Sequence, residues 1–397
     1  MLWDLPADPQ KMPAIIDLAR KATTLCPHGA QHWVSLARLL LRTGRNDDAV
    51  EILTEAIAEV PVEPKLHLML ADACHRAGKF DLFREILEQA PECPASDRET
   101  TLFRLELRMR TRSQDAALAA TEALGLDPTN PEAIKIVGGL SRENGNVERM
   151  LPICQAALAI QPLHTLARYE LAVALSVLGR ADDARALIDL YRFVSLTDLA
   201  APAEYSDTET FHSELIAEIR RNATLKPDPV GKATKSGMQT GGLPQEGDHA
   251  IATLLGALRS AVDAAESNLV EKFQDAFVER RPKKSRLRAW AVVVPGNGHQ
   301  VAHIHPDGWL SGVYYVSAPE GAPDDHRAGC LVLGRLDLKG QNFDPPWGVR
   351  DIKPVPGRLV LFPSYIPHGT MPTNAQGDRI CISFDVIAAG AETVFSA

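Results

Sequence analysis

No apolar run in the 397-residue chain reaches the ~18 residues of a membrane span, so no membrane-spanning segment is expected. The first eleven residues have neither the basic start nor the apolar stretch of a secretory signal. Cysteine is sparse and scattered: Cys26, Cys74, Cys93, Cys154, Cys330 and Cys381 form no Cys-x-x-Cys pair. This pattern suits reduced, mostly buried thiols in a cytoplasm and excludes a disulfide scaffold. Positive charge is not in excess either. A net charge of -9 argues against a general nucleic-acid binder. Gly296–Gly298 lacks the Lys-Ser/Thr of a phosphate loop and is expected to be a plain turn. The 45% hydrophobic and 23% charged composition is that of a folded soluble protein, and the length is a prior for two or three domains.

The first half is periodic. Prolines at 27, 61, 94, 128 and 162 are 33 or 34 residues apart, and glycines at 44, 78, 145 and 179 keep the same step, with Arg112 in the place of a missing member. Between them the apolar residues keep helical spacing: Trp33, Leu36, Ala37 and Leu40 open one unit, and Ala49, Leu53 and Ala56 close it. Leu66, Leu70 and Ala71 open the next, and Leu171, Ala172 and Leu175 open the last. Each unit reads as two helices, with a glycine in the tight turn and a proline between units. This helix-turn-helix period resembles the tetratricopeptide repeat (TPR), with about five units over residues 12–195 that are degenerate between 94 and 160. Such arrays offer a concave face to a peptide or partner protein, or serve only as a scaffold. No groove residue stands out.

Residues 226–248, rich in Pro, Gly, Ser and Thr, cannot form one regular element. A short helix is expected around Phe211, Leu215, Ile216 and Ile219, and a longer one over 249–276. From Arg286 the pattern becomes short runs rich in Val, Ile, Leu and Tyr, at 288–295, 310–317, 329–334, 357–364 and 379–387, which predict an all-β sandwich or barrel.

Within that region lies His303-Ile-His305-Pro306-Asp307. Residues two apart on a strand share a face, so His303 and His305 point together; Asp307 follows if the strand continues past Pro306. His368, just after another strand, supplies a distant third group. Two ligands at i, i+2 and a third from afar is the layout of a facial metal triad, and mixed nitrogen and oxygen donors suit non-haem Fe(II). Arg379, Cys381 and Ser383 share one face of the last strand, beside His368. A buried Arg379 is costly unless paired, and a carboxylate ligand pairs it bidentately. Trp290 and Asn297 are candidates to line the pocket, and one of Tyr314 and Tyr315 to bond a co-substrate. Cys381 is expected to pack, and His299 and His326 to lie in loops.

Three strings in order, HIHPDGWLSGVYYV, GRLVLFPSYIPH and RICISF, resemble a bacterial and phage subfamily of Fe(II)/2-oxoglutarate-dependent oxygenases. KATKSGMQTGGL (232–243) is similar to a lead-in segment of that subfamily, and the resemblance covers roughly 205–392. Together with the repeats it implies a multidomain α + β chain: an N-terminal α-helical TPR-like solenoid over 1–195, a linker and lead-in over 196–250, and a C-terminal double-stranded β-helix (jelly roll) with its preceding helix over 251–397. It further implies Fe(II), 2-oxoglutarate and O2, with the distal carboxylate of 2-oxoglutarate on Arg379 assisted by Ser383 and Tyr315, and hydroxylation as the outcome. Two ligand sets stay open at this point: His303, His305 and His368, which fits the subfamily, or His305, Asp307 and His368, the usual His-x-Asp…His. By architectural analogy the repeats suggest a protein or peptide substrate. The alternatives are a cupin-like metal enzyme, disfavoured because no Glu follows His305 before Glu320, and a TPR adaptor with an inactive barrel.

Overall fold

The computed structural model describes residues 12–94, 96–111, 114–228, 232–244, 247, 249–319, 325–336 and 344–389. Arg112, Glu320, residues 1–11 and parts of the 226–248 stretch, all invoked above, lie outside the described residues. The chain divides into two compact units, with the boundary between Leu140 and Ser141.

The helices follow the period. They are α1 (Met12–Leu25), α2 (Ala30–Arg42), α3 (Asn46–Glu59), α4 (Pro64–Arg76), α5 (Phe80–Gln89), α6 (Arg98–Arg110), α7 (Gln114–Leu126), α8 (Pro131–Glu143), α9 (Met150–Ile160), α10 (Thr165–Val177) and α11 (Ala181–Leu187). Every periodic proline falls in the gap before an even-numbered helix from α2 to α10. The turns after α2, α4, α8 and α10 are Schellman caps, in which a left-handed glycine lets two N–H groups reach back to orphan carbonyls. Gly44, at φ 73°, sets Arg45 N–H on Leu40 O at 2.9 Å. Gly78, at φ 76°, sets Lys79 N–H on Cys74 O at 2.8 Å. The same bond recurs from Asn146 to Ser141 and from Arg180 to Leu175. Ala37 and Ala71 are fully buried, small enough to let the paired helices close. The gaps also repeat: Trp33 Nε1–H donates to Pro27 O at 2.6 Å, and His67 Nε2 bonds Pro61 O at 2.9 Å. In the first unit, Asp72 accepts from Arg76 at 2.9 Å and from Arg110 at 2.6 Å, tying α4 to α6.

The second unit is built on antiparallel sheets. After β1 (Ser195–Asp198) come α12 (Thr208–Arg221), β2 (Lys226–Pro227), β3 (Thr234–Lys235), β4 (Met238–Gln239), α13 (Ala250–Lys272) and α14 (Ala276–Glu279). Then follow β5 (Ser285–Val294), β6 (His299–Gln300), β7 (Leu310–Ser317), β8 (Leu331–Leu333), β9 (Arg350–Ile352), β10 (Arg358–Pro363), β11 (His368–Thr370) and β12 (Arg379–Ala388). The larger sheet runs β1-β10-β7-β12-β5-β4-β2, and a smaller one β11-β8-β9. Side chains cross between them: Arg379 of β12 bonds Thr370 of β11, and the Phe362 ring of β10 lies 4.7 Å from that of His368. This is the expected jelly roll. Strand β7 is buried on both faces, which is why its sequence reads as a continuous apolar run. The lead-in segment joins the sheets directly, β4 pairing with β5 and β3 with β6. His299, expected in a loop, lies in β6, where Lys235 is its partner; a two-residue strand carries too little pattern to be read.

Helices α9 to α11, periodic with the repeats, belong to the second unit, and α10 and the segment after α11 pack on its β part. Thr165 Oγ1 donates to Gly308 O at 3.1 Å, and the Arg168 guanidinium lies 4.9 Å from the centre of the Tyr365 ring. Arg350 donates to Leu190 O at 2.9 Å, and the Phe193 ring is 5.2 Å from those of Phe273 and Phe277. Leu190 and Phe193 are buried, each contributing about 1.5–3 kcal/mol. A fragment spanning residues 141–397 is therefore expected to unfold in one cooperative transition, and one spanning 196–397 to be several kcal/mol less stable by urea denaturation. Equal midpoints would contradict this.

Candidate functional site

Three imidazoles meet where the two sheets approach. His368 opens β11, and His303 stands opposite it in a two-way backbone bridge, each N–H donating to the other's carbonyl at 2.9 Å. His305 N–H donates to Ser364 O at 3.1 Å. The chain then turns, Gly308 N–H closing on His305 O at 3.2 Å, so the segment does not continue as a strand. Pro306 begins that turn, and it carries Asp307 away from the other two side chains.

Every ring has its Nδ1 committed. His303 Nδ1–H donates to Val301 O at 2.8 Å and His368 Nδ1–H to Ile366 O at 3.0 Å. His305 Nδ1–H donates to the carboxylate of Asp385. A hydrogen on Nδ1 leaves the Nε2 lone pair free. One ligand atom from each ring lies within 4.8 Å of the others, and the Nε2 atoms of His303 and His305 are 3.0 Å apart. Two nitrogens each about 2.1 Å from one ion at right angles are about 3.0 Å apart, so the spacing fits a shared cation. Burial, then the neighbouring His305, pulls the His303 pKa down to about 4. Burial, then both other rings, drives His368 well below its ordinary value. At neutral pH these two rings are therefore neutral bases, the form that binds a metal.

Asp307 does not enter this cluster. Its carboxylate accepts from Arg288 Nη1 at 3.1 Å. The other arm of Arg288 donates at 2.9 Å to Asp385, which the sequence reading did not single out. Asp385 is 1% exposed and also accepts from Ser311 Oγ at 3.0 Å. Burial raises its carboxyl pKa, but His305 and Arg288 outweigh this and hold it below the usual range. The signal was present: stepping by two from Arg379 through Cys381 and Ser383 arrives at Asp385, a lone acid in an apolar strand.

Arg379 is 1% exposed. Its Nη1 donates to Gly329 O at 2.9 Å and Met371 O at 3.3 Å, and its Nη2 to Thr370 Oγ1 at 2.7 Å. All these acceptors are uncharged, and among the described residues no carboxylate pairs with it. Its Nε and the Tyr315 hydroxyl are both buried with no hydrogen-bond partner. Both residues line the pocket that holds the three histidines, with Ser383, Cys381 and Trp290. A buried guanidinium with an orphaned donor beside an orphaned hydroxyl suits a carboxylate-bearing ligand. Ser383 Oγ lies 3.9 Å from Cys381 Sγ, and burial raises the Cys381 pKa, which keeps the thiol protonated. Tyr314 faces the other way, its hydroxyl 2.8 Å from His212 Nε2 on α12. Asn297 lies in the turn after β5 and is not among the pocket-lining residues; His326 lies in an exposed turn.

The depressed histidine pKa values make the metal-free protein sensitive to acid. The unfolded chain takes up protons near pH 6.5 and folded His303 only near pH 4, so stability is full above the first value and is lost as pH falls toward the second. From pH 7 to pH 5 the loss from His303 alone is about 2 kcal/mol. Urea unfolding of chelator-treated protein at the two pH values reads this directly. A His303→Phe variant is expected to have a flatter profile.

Residues 288–385 match the model of a family described as "Putative 2OG-Fe(II) oxygenase". Residues 34–97 and 165–189 match tetratricopeptide-repeat models. No curated protein matches the chain. Among solved structures, the chain is similar to a Pseudomonas putida prolyl-4-hydroxylase at 20% identity and a TM-score of 0.35, over 53% of this chain and 99% of that one. It is also similar to YrrB, a TPR protein with an unusual peptide-binding site, at 15% identity and a TM-score of 0.35, over 43% of this chain and 91% of that one. The chain thus joins stretches that match tetratricopeptide repeats to one that matches the family described as putative 2OG-Fe(II) oxygenases.

Proposed function

We propose that the protein is an Fe(II)/2-oxoglutarate-dependent dioxygenase that hydroxylates a protein or peptide substrate recruited by its repeats. The carrying observation is the pairing of two features in one pocket. Three imidazole nitrogens converge beside a buried guanidinium whose partners among the described residues are neutral oxygens. His303, His305 and His368 would hold the iron, leaving open positions as a three-ligand set does. Arg379 would take the distal carboxylate of 2-oxoglutarate, with the Tyr315 hydroxyl and Ser383 beside it. When bound, Fe(II), 2-oxoglutarate and O2 supply the oxidising chemistry, the co-substrate leaving as succinate and CO2.

The chain's own part is orientation and exclusion of water. The backbone bridge between His303 and His368 fixes two donors against each other before any ligand arrives. The ring of Trp290, 5.5 Å from that of His305, and the ring of Phe362 form apolar walls that keep water from the donors. Thr370 holds Arg379 from the smaller sheet, so the anion site and the imidazoles share one frame.

A cupin-like enzyme gains no support, because no glutamate among the described residues joins the cluster. The adaptor reading predicts a lost ligand or a lost arginine. The six cysteines are free thiols, which favours a cytoplasmic setting. Among the described residues, no helix is long and apolar enough to cross a membrane.

Anaerobic addition of Fe(II) and 2-oxoglutarate is expected to produce a weak visible charge-transfer band. His368→Ala should abolish it along with turnover. Arg379→Ala should need about 10- to 100-fold more 2-oxoglutarate, the loss of one charged hydrogen-bonded contact. Near-normal coupled turnover in His368→Ala would sink the assignment.

A further inference from the structure

A carboxylate at the centre of a β-sheet has to be accounted for, because burying it costs far more than one hydrogen bond returns. Asp385 lies in β12 between Phe384 and Val386, both fully buried, and is itself 1% exposed. Its two oxygens are divided. One takes His305 Nδ1–H and Ser311 Oγ–H, and the other takes Arg288 Nη2–H at 2.9 Å. Ser311 is itself bonded to Ser364 at 2.9 Å, just ahead of the His368 loop. The chain makes room for this network at Gly308, where a Cβ would stand 2.3 Å from Ser364 Oγ and 3.4 Å from Asp385 Oδ1. A purely structural ion pair with Arg288 would have no need of the imidazole.

The charges around Arg288 extend the point. Its second arm holds Asp307 at 3.1 Å. Two carboxylates and one guanidinium leave one net negative charge. That charge stands directly behind His305, on the side away from the pocket. An all-histidine donor set brings no charge of its own to a divalent cation, whereas a His-x-Asp…His set brings one.

We propose that Asp385 is a positioning residue for the metal. It locks the His305 ring with Nε2 facing the pocket and, with Arg288 and Asp307, supplies from behind the ring the negative charge that three histidines lack. This rests on the metal reading above. It also gives Asp307 a place: its charge serves the site through Arg288 rather than by touching the ion. Carboxylates that hold a ligating imidazole in this way typically change metal affinity 10- to 100-fold when replaced.

The test is anaerobic titration with Co(II), read by its visible ligand-field absorbance, without co-substrate or turnover. The full chain, Asp385→Asn, Asp307→Asn and His368→Ala are compared, with thermal unfolding as the check on folding. Asparagine keeps an oxygen for His305 Nδ1–H but removes the charge. Asp385→Asn is expected to bind Co(II) about 10- to 100-fold more weakly, with a shifted absorbance envelope. Asp307→Asn is expected to weaken binding by a smaller factor and leave the envelope in place, since no donor is lost. Unchanged affinity and spectrum in Asp385→Asn overturn the inference while leaving the metal reading standing. Loss of binding in Asp307→Asn as complete as in His368→Ala also overturns it, because Asp307 would then be a donor. Should Asp385→Asn fail to fold, Asp307→Asn decides alone, and unchanged affinity there removes the charge role. If the unaltered chain takes up no Co(II), the metal reading fails and takes this inference with it.

Discussion

The site depends on a constraint at the back of each ring. An imidazole has two nitrogens, and the fold engages Nδ1 of all three with two backbone carbonyls and one carboxylate. What is left is Nε2, and the bridge between His303 and His368 turns two of those atoms toward the same space. The bridge also ties the segment after β6 to the first residue of β11. Backbone carbonyls hold the His303 and His368 rings, and a side-chain carboxylate holds the His305 ring. Burial then keeps His303 and His368 unprotonated, so the chemistry needed for a metal follows from the folding of the β domain.

Arg379 is the second constraint. A guanidinium in a nearly water-free interior is sustained by neutral acceptors from the loop before β8 and from β11 and the residue that follows it. These acceptors fix its plane without cancelling its charge. The positive charge at the pocket wall is therefore fixed by the way the two sheets meet, and the orphaned Tyr315 hydroxyl on β7 lies in the same pocket.

The helical half was legible because its punctuation is physical. Each proline occupies a gap and each glycine a left-handed cap, so the 34-residue step is a step in hydrogen bonding as well as in spelling. The β half was legible as apolar runs because its central strands are covered on both faces. Charged or very short strands, β1, β6 and β9, carry no such pattern and escaped notice. At the candidate site, spacing and the family resemblance pointed to the three histidines and Arg379, which the structure brings to one pocket. The choice between His303 and Asp307 could not be made that way, because it turns on where the chain bends at Pro306, a property of the loop packed against Ser364 and Asp385. Asp385 occupies the fourth position of the alternation that starts at Arg379, and its partners Arg288, His305 and Ser311 are all distant in sequence. The packing of α10 on Gly308 and Tyr365 joins residues some 140 to 200 positions apart, beyond any local pattern.

That packing bears on how such a chain can be rearranged. Repeat arrays are commonly treated as exchangeable modules, cut and joined wherever the period allows. Here the period runs on through α10 and α11, yet α10 lies against the loops carrying His305 and His368. A chimera joined at the end of the visible repeat would put foreign side chains against Gly308 and Tyr365, and the donor set would have to adjust. The interchangeable part of the array ends one repeat earlier than its sequence suggests.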